Sequence, residues 1–201
     1  VFIMFENAKW ITAGADFKES LPSFQKKFAP KGAIKKATAY MTAYGVYDFF
    51  VDGKKVGNKI MAPGWTYYPK WVQYQTYDIT DLLGSENTLS VTLAPGWAAG
   101  YIGWNRHTYD VYPGAYPIRT TSFVAVFEVE YTDGSKETFT TDESWDIYST
   151  HILSSELYDG EISDFNKEIR LVGKAKITDQ PIPELLPQKG EYIVEREIVN
   201  P

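Results

Sequence analysis

The chain has 201 residues, a formal net charge of −6 and no cysteine. That length suits one domain with a short appendage, and such a chain buries roughly 70% of its unfolded surface without a covalent staple. The missing thiols exclude a disulfide framework, a thiolate metal site and a cysteine nucleophile. The acidic balance argues against a nucleic-acid partner, and no apolar run approaches the roughly 18 residues that cross a membrane.

In chain order, the first 22 residues show little periodicity beyond Trp10-Ile11, where a first strand is expected to open. Residues 1–5 are apolar but too short for a signal peptide and lack a basic flank. The sequence begins with Val1, not Met, and is read as a processed or excised piece. These features leave the compartment open.

Residues 24–28 alternate, with Phe24, Lys26 and Phe28 on one face, and Pro30-Lys31-Gly32 makes a turn. Ala37, Ala39, Met41 and Ala43 share one face of the next strand. An apolar and aromatic run over 46–51 then meets Asp52-Gly53. That pair between apolar runs predicts a type I′ hairpin, which needs positive φ at both positions.

Thr80, Asp81 and Gly84 predict a one-turn helix with Thr80 as N-cap, an acid in the first turn and Gly84 as the stop. Leu89, Val91 and Leu93 alternate with Thr88, Ser90 and Thr92 in a half-buried strand. Residues 94–121 have no period, and long loops in compact domains are usually functional. Phe123, Ala125, Phe127, Val129 and Tyr131 form an apolar face opposite Glu128 and Glu130. Asp133-Gly134 predicts a second turn before a strand over 137–141. Further short strands are expected over 145–148, 152–153 and 175–178, and another over 191–199. Pro181, Pro183 and Pro187 mark a linker.

Many short strands, two Asp-Gly turns and almost no helix predict an all-β fold, an antiparallel β-sandwich. Aromatic residues make up 16% of the chain. They suit strands and equally suit a carbohydrate surface, where rings stack on sugar faces.

The stretch 44–104 carries the most information. It holds Gly45-Val46-Tyr47, Val51-Asp52-Gly53-Lys54-Lys55-Val56-Gly57, Ala62-Pro63-Gly64-Trp65-Thr66, Tyr74-Gln75-Thr76-Tyr77-Asp78-Ile79-Thr80, Asn87-Thr88-Leu89 and Gly96-Trp97. On these segments, and more thinly as far as Tyr158-Asp159-Gly160-Glu161, the chain resembles the N-terminal β-sandwich of bacterial α-L-rhamnosidases. The hairpin alone also fits the accessory sandwich of a β-galactosidase-like enzyme. The Ala-Pro-Gly-Trp-Thr and Tyr-Gln-Thr-Tyr-Asp-Ile-Thr segments favour the rhamnosidase.

The resemblance implies a jelly-roll of the galactose-binding type over residues 1–178. Residues 179–201 would then be a Pro-rich linker and strand leading to a downstream domain. It also implies a parent glycoside hydrolase that removes terminal α-L-rhamnose by an inverting mechanism in a separate helical barrel, the catalytic domain of the same polypeptide. The sequence departs from the family pattern at Ser163-Asp164, where a Tyr-Asp pair is expected, and at Val172, where Trp is expected.

Glycoside hydrolysis needs two carboxylates roughly 5–9.5 Å apart. Glu156, Asp159, Glu161 and Asp164 are the densest acidic group, but a turn with carboxylates capping backbone N–H groups is the preferred reading, so no catalytic residue is assigned. No Gly-x-Ser-x-Gly elbow accompanies His107 or His151, and His151 reads as a strand-end residue.

No motif demands a cofactor. Asp52, Asp110, Asp159, Glu161 and Asp164 are of the right type for a structural calcium, without EF-hand spacing. The candidate ligand surface for a rhamnose-containing glycan is Tyr68, Trp71, Tyr101, Trp104, Asn105, Arg106 and His107. Their rings and planar polar groups suit sugar faces and hydroxyls. Trp65 and Trp97 each follow a Pro-Gly turn and are expected to fold back onto the sheet. Two roles remain, a carbohydrate-binding module or a structural domain docked on the barrel.

Overall fold

A computed structural model describes residues 2–100, 120–178, 180 and 183–197. The strands are β1 (Ile11–Thr12), β2 (Ser23–Phe28), β3 (Ile34–Tyr44), β4 (Val46–Val51), β5 (Lys54–Lys55), β6 (Trp71–Asp78), β7 (Asn87–Ala94) and β8 (Ser122–Tyr131). They continue with β9 (Lys136–Thr140), β10 (Asp146–Tyr148), β11 (Ile152–Glu156), β12 (Gly160–Ser163), β13 (Leu171–Lys174), β14 (Lys176–Ile177) and β15 (Glu184–Pro187).

One sheet runs β14-β1-β8-β3-β6-β15, with β9 also on β8. The second runs β13-β10-β2-β7-β4-β5, and β11–β12 is a separate hairpin. All pairings are antiparallel except β15 with β6. The expected all-β sandwich is therefore the observed architecture.

The core lies between the sheets. Ala37, Ala39, Met41 and Ala43 of β3 and Phe123, Ala125, Phe127 and Val129 of β8 face Phe24, Phe49, Val51, Leu89, Val91 and Leu93. The alternation in each strand put these residues on one face. The small side chains of β3 leave room for rings, and Phe49 meets Phe127 at 6.0 Å. Trp145 is fully buried at the centre, stacked 6.0 Å from Phe127 and edge-on 5.6 Å from Phe123. Its indole N–H donates to the Thr140 carbonyl at 3.3 Å.

The first sheet is covered on its outer face as well. Val124 and Val126 of β8 pack there with Phe5, Trp10, Tyr44, Tyr68, Val72, Tyr74, Ala98 and Leu185. A strand buried on both faces reads as a continuous apolar run, which accounts for the near-unbroken apolar start of β8.

The hairpin at Asp52-Gly53 has φ of 49° and 76° and joins Val51 to Lys54, as its sequence demands. At Asp133-Gly134 only the glycine has positive φ, 87°. There the Asp133 carboxylate accepts from Ser135 N at 2.9 Å and from Ser135 Oγ at 2.6 Å, which gives a turn of a different type.

The one-turn helix is a 3-10 turn, Thr80–Leu82, and Thr80 does not cap it. Asp78 Oδ1 accepts from Thr80 N at 3.0 Å and Thr80 Oγ1 at 2.6 Å, so the acid two residues earlier takes the capping part. An Asx turn of this kind competes directly with a Thr cap.

The Pro-rich tail also departs from expectation. Residues 184–187 are not a free linker but the edge strand β15, parallel to β6, with Leu185 buried. Proline favours extended backbone, and an edge strand tolerates its missing donor. Past β15 the expected strand over 191–199 reduces, where described, to a single bridge between Val194 and Lys59.

Replacing Trp145 by Ala should cost about 3–5 kcal/mol of unfolding free energy, because the ring is central and cannot be replaced by collapse. Urea titration of both proteins measures it. A loss below about 1 kcal/mol would mean that the two sheets close without it.

Candidate functional site

A cavity of about 580 Å³ opens at the end of the sandwich where β7 finishes and β8 begins. Thr12 and the loop after β1 form one side, the β11–β12 hairpin the other, and Pro95, Ala99 and Gly100 the rim. Leu21, Leu93, Leu153 and Ile162 supply apolar surface, while Ser154, Ser155, Glu156, Asp159 and Lys18 supply polar groups. A mostly apolar concavity of roughly 300–1,000 Å³ with a few polar groups is the usual form of a small-ligand site.

Close backbone approach builds the rim. Gly96, at φ +52°, starts the single helical turn α1 (Gly96–Ala99), and a Cβ there would fall 2.5 Å from Val46 Cγ1. A Cβ on Gly100 would fall 2.3 Å from Glu156 Oε2. These two glycines bring the end of β7 against β4 and against the hairpin. Across the cavity, Thr12 Oγ1 donates to the Thr121 carbonyl at 2.8 Å and accepts from Gly14 N at 3.1 Å, which fixes the loop after β1.

The acidic residues belong to this hairpin and the turn after it. Glu156 Oε1 accepts from Leu157 N at 2.8 Å and Asp164 Oδ1 from Asn166 N at 3.0 Å, both as local backbone caps. Glu161 Oε1 accepts from Ser163 Oγ at 2.8 Å. The first two contacts hold turns, and the third joins two residues of β12. Among the described residues no three His, Asp or Glu side chains gather as a metal-binding group. Asp52 instead accepts from Thr88 N at 2.6 Å.

The candidate sugar contacts fall in three places. Tyr101, Trp104, Asn105, Arg106 and His107 lie outside the described residues, as does Asp110. Tyr68 is only 1% exposed, set edge-on against Tyr44 with centroids 6.1 Å apart, and its ring is packing, not a ligand surface. Trp71 is partly buried at the start of β6, paired with Glu184 of β15.

Trp65 corrects the opposite expectation, at 49% exposed. The reason is local. Burial alternates along 65–68 as the chain enters the turn before β6: Thr66 and Tyr68 are buried while Trp65 and Tyr67 are exposed. Thr66 is held in by donating to the Trp71 carbonyl at 2.9 Å. Trp97 does pack back, against the outer core. His151 sits beside β11 with its ring 4.9 Å from Phe165.

The sandwich and its closed hairpin match the α-L-rhamnosidase N-terminal domain over residues 32–189. The chain belongs to that family. An α-L-rhamnosidase of Streptomyces avermitilis is 40% identical over 141 residues, covering 69% of this chain and 13% of the relative. One from Formosa agariphila is 34% identical over 147 residues, covering 72% and 15%. Among solved structures, the Streptomyces avermitilis α-L-rhamnosidase complexed with L-rhamnose aligns at a TM-score of 0.79 with 31% identity, over 89% of this chain and 18% of that one. The chain thus spans less than a fifth of the length of these relatives.

Within this α-L-rhamnosidase N-terminal domain, the cavity-lining Thr12, Lys18, Ser154 and Ser155 escaped sequence reasoning. They come from distant segments, and only the strand order brings them together.

At the far edge of the first sheet the tail is tied down by a second polar group. Gln75 is fully buried: its Oε1 accepts from Tyr47 Oη at 2.7 Å, and its Nε2 donates to Gln188 Oε1 at 2.6 Å. Tyr47 and Tyr77 hydroxyls lie 3.1 Å apart. Beside them Lys59 Nζ stands 4.3 Å from the Tyr77 ring centre and 3.8 Å from that of Tyr192, and donates to the Thr76 carbonyl at 2.9 Å. The two ring faces attract the ammonium while burial opposes it; burial prevails and lowers the Lys59 pKa to about 8. Burial pushes the Tyr77 phenol up to about 12 and raises Tyr44, Tyr47 and Tyr68 as well.

These shifts fix a pH profile. Between about pH 8 and the ordinary lysine value, the unfolded chain keeps a proton that folded Lys59 has lost, so stability rises with pH. From about pH 10 upward the unfolded tyrosines ionise first and stability falls. Urea titrations from neutral to strongly basic pH should show the rise and then the fall. A Lys59→Met variant should lose the rise and keep the fall; identical profiles for the two proteins would remove Lys59 as the cause.

Proposed function

We propose that this chain is a non-catalytic accessory domain of an α-L-rhamnosidase-like glycoside hydrolase, and that its end cavity holds part of a rhamnose-containing glycan. The observation that carries the reading is the cavity itself, about 580 Å³ with hydroxyls and carboxylates around an apolar floor. A deoxy sugar offers the same mixture: hydroxyls for Ser154, Ser155 and Asp159, and a methyl group and C–H face for Leu153 and Ile162. The parent polypeptide would carry the hydrolytic pair in its catalytic domain and remove terminal α-L-rhamnose. The family assignment favours this parent over a β-galactosidase-like one.

A second reading, a purely structural domain docked on the catalytic domain, draws on a separate observation. Ile169, Leu171 and Ile177 are each about half exposed or more, on the side that carries β13 and β14.

Two measurements test the proposal. The purified chain should release no product from an aryl α-L-rhamnoside, and turnover abolished by Glu161→Gln would overturn the non-catalytic assignment. Calorimetric titration with rhamnose oligosaccharides should show binding that Asp159→Ala weakens by about 1.5 kcal/mol, roughly tenfold in Kd, for a hydrogen bond to a charged group. The melting temperature should stay unchanged, since Asp159 is exposed. Unaltered binding in the variant would move the sugar elsewhere, and no binding by the parent sequence would favour docking.

A further inference from the structure

The dipeptide Asp-Gly occurs three times in the chain, at Asp52-Gly53, Asp133-Gly134 and Asp159-Gly160, and Asn-Gly does not occur. An aspartate followed by glycine carries a latent reaction. Glycine has no side chain to shield its main-chain nitrogen, so that nitrogen can attack the neighbouring carboxyl carbon. All three pairs are exposed, so access does not separate them. What separates them is how each carboxylate and each turn is held.

Asp52 is pinned twice to one residue. Its N–H donates to the Thr88 carbonyl at 2.9 Å, and its Oδ1 accepts from Thr88 N at 2.6 Å. Its turn closes β4 on β5 within the second sheet. The Ser135 hydroxyl and N–H donate to Asp133 Oδ1 at 2.6 and 2.9 Å and hold its carboxyl below the usual carboxylate range. Gly134 N is engaged as well, donating to the Tyr131 carbonyl at 3.0 Å. A carboxylate held by donors must leave them to reach a glycine nitrogen. Those donors also disfavour the protonated carboxyl, which is the reactive form.

Asp159 is held by nothing of this kind. Its carboxylate makes no hydrogen bond and no ion pair among the described residues. It sits at the tip of β11–β12, where Glu156 pairs with Gly160 across the turn. This hairpin joins neither sheet, and two strands without a third are marginal on their own. The tip therefore opens more readily than the ladders around the other two pairs.

We infer that Asp159-Gly160 is the covalent ageing site of the domain, where aspartate converts through a cyclic imide to an isoaspartyl linkage at the rim of the end cavity. The Gly160 nitrogen bonds to Asp159 Cγ, a Cγ–O bond breaks and water leaves, which closes a succinimide ring. Water then adds at either ring carbonyl. Cleavage between N and Cγ restores aspartate. Cleavage between N and the Asp159 main-chain carbonyl carbon leaves the chain running through Cβ and Cγ. The sum is an isomerisation, with no oxidant or reductant and no change of mass. The main chain gains an atom immediately before β12, and the Asp159 carboxylate moves to Cα. The pairing of Ser155 with Glu161 and of Ser154 with Ile162 lies just beyond the inserted atom, so the cavity wall that Ser154, Ser155 and Ile162 supply is displaced. The effect on glycan binding rests on the accessory-domain reading above; the chemistry at Asp159 does not.

Incubation of the chain in warm, near-neutral buffer made with heavy-oxygen water marks every ring opening with a heavy oxygen. Peptide mapping with electron-driven fragmentation then locates the isoaspartate. Label and isoaspartate should accumulate at Asp159 at least about tenfold faster than at Asp52 or Asp133, because each of those carboxylates must first break a hydrogen bond to a charged acceptor. Equal rates at the three pairs, or a faster rate at Asp52 or Asp133, would overturn the inference. Affinity for rhamnose oligosaccharides should fall as isoaspartate rises. An Asp159→Glu variant forms such rings far more slowly, and its affinity should hold its own starting value through the same incubation. A decline of equal size in Asp159→Glu would overturn the link between this bond and the cavity. Fresh protein that binds no glycan would sink the glycan reading alone, since the isoaspartate map decides the inference by itself.

Discussion

The register between β3 and β8 sets everything that the sandwich presents at its end. Ala39 stands opposite Phe127, Met41 opposite Ala125, Ala43 opposite Phe123, and Tyr44 opposite Ser122. Slipping this pairing by one residue would send the rings of β8 to the wrong face and the valines into the central core. Because β8 is buried on both faces, neither set could then find cover. The pairing also determines where β8 starts, and hence that the Thr121 carbonyl meets Thr12 at the cavity wall. The functional candidate is thus a consequence of strand register, held in place from some distance away.

The same sheet fixes the course of the tail through a polar contact in its interior. Gln75 has no exposure and depends on Tyr47 and on Gln188, which arrives from beyond β15. A buried amide left without partners costs about 1–3 kcal/mol, so the sheet favours the tail in its docked course. Leu185 adds apolar burial on the outer face, and Lys59 with Tyr77 and Tyr192 closes the last described turn of the chain. The tail is thereby held against the sheet as far as Gln188 and Val194, where a free linker would make no such contacts.

Much of the fold was legible in the sequence because alternation is a local signal. Val91 and Leu93 of β7, the alanines of β3 and the Asp52-Gly53 turn announce themselves within a few residues. The failures share a different cause. Residue type and the preceding Pro-Gly point Trp65 inward and Tyr68 to the surface, but packing around the turn before β6 reverses them: Trp65 lies outside and Tyr68 inside against Tyr44. The tail read as a linker from its prolines, which are equally compatible with an edge strand that sheet neighbours supply from elsewhere. The cavity was invisible for the same reason. Thr12, Leu93, Ser155 and Asp159 are each unremarkable in their own stretch, and no local pattern records that β1, β7 and the β11–β12 hairpin end together.

The treatment of charge separates what this domain does for itself from what it leaves to others. Two members of its acidic cluster are spent on turns: Glu156 and Asp164 satisfy backbone donors that the hairpin and the turn after it would otherwise expose. Carboxylates engaged in that way are poor candidates for a coupled acid and base, which need a shared cleft and opposed environments. The basic residues divide along the two sides of the sandwich. Lys54 and Lys55 stand on the edge strand β5, whereas Lys18 and Lys176 line a groove that also carries Asp16 and Glu19. With acids on the same wall, the groove carries mixed charge and gives no preference for a partner of either sign.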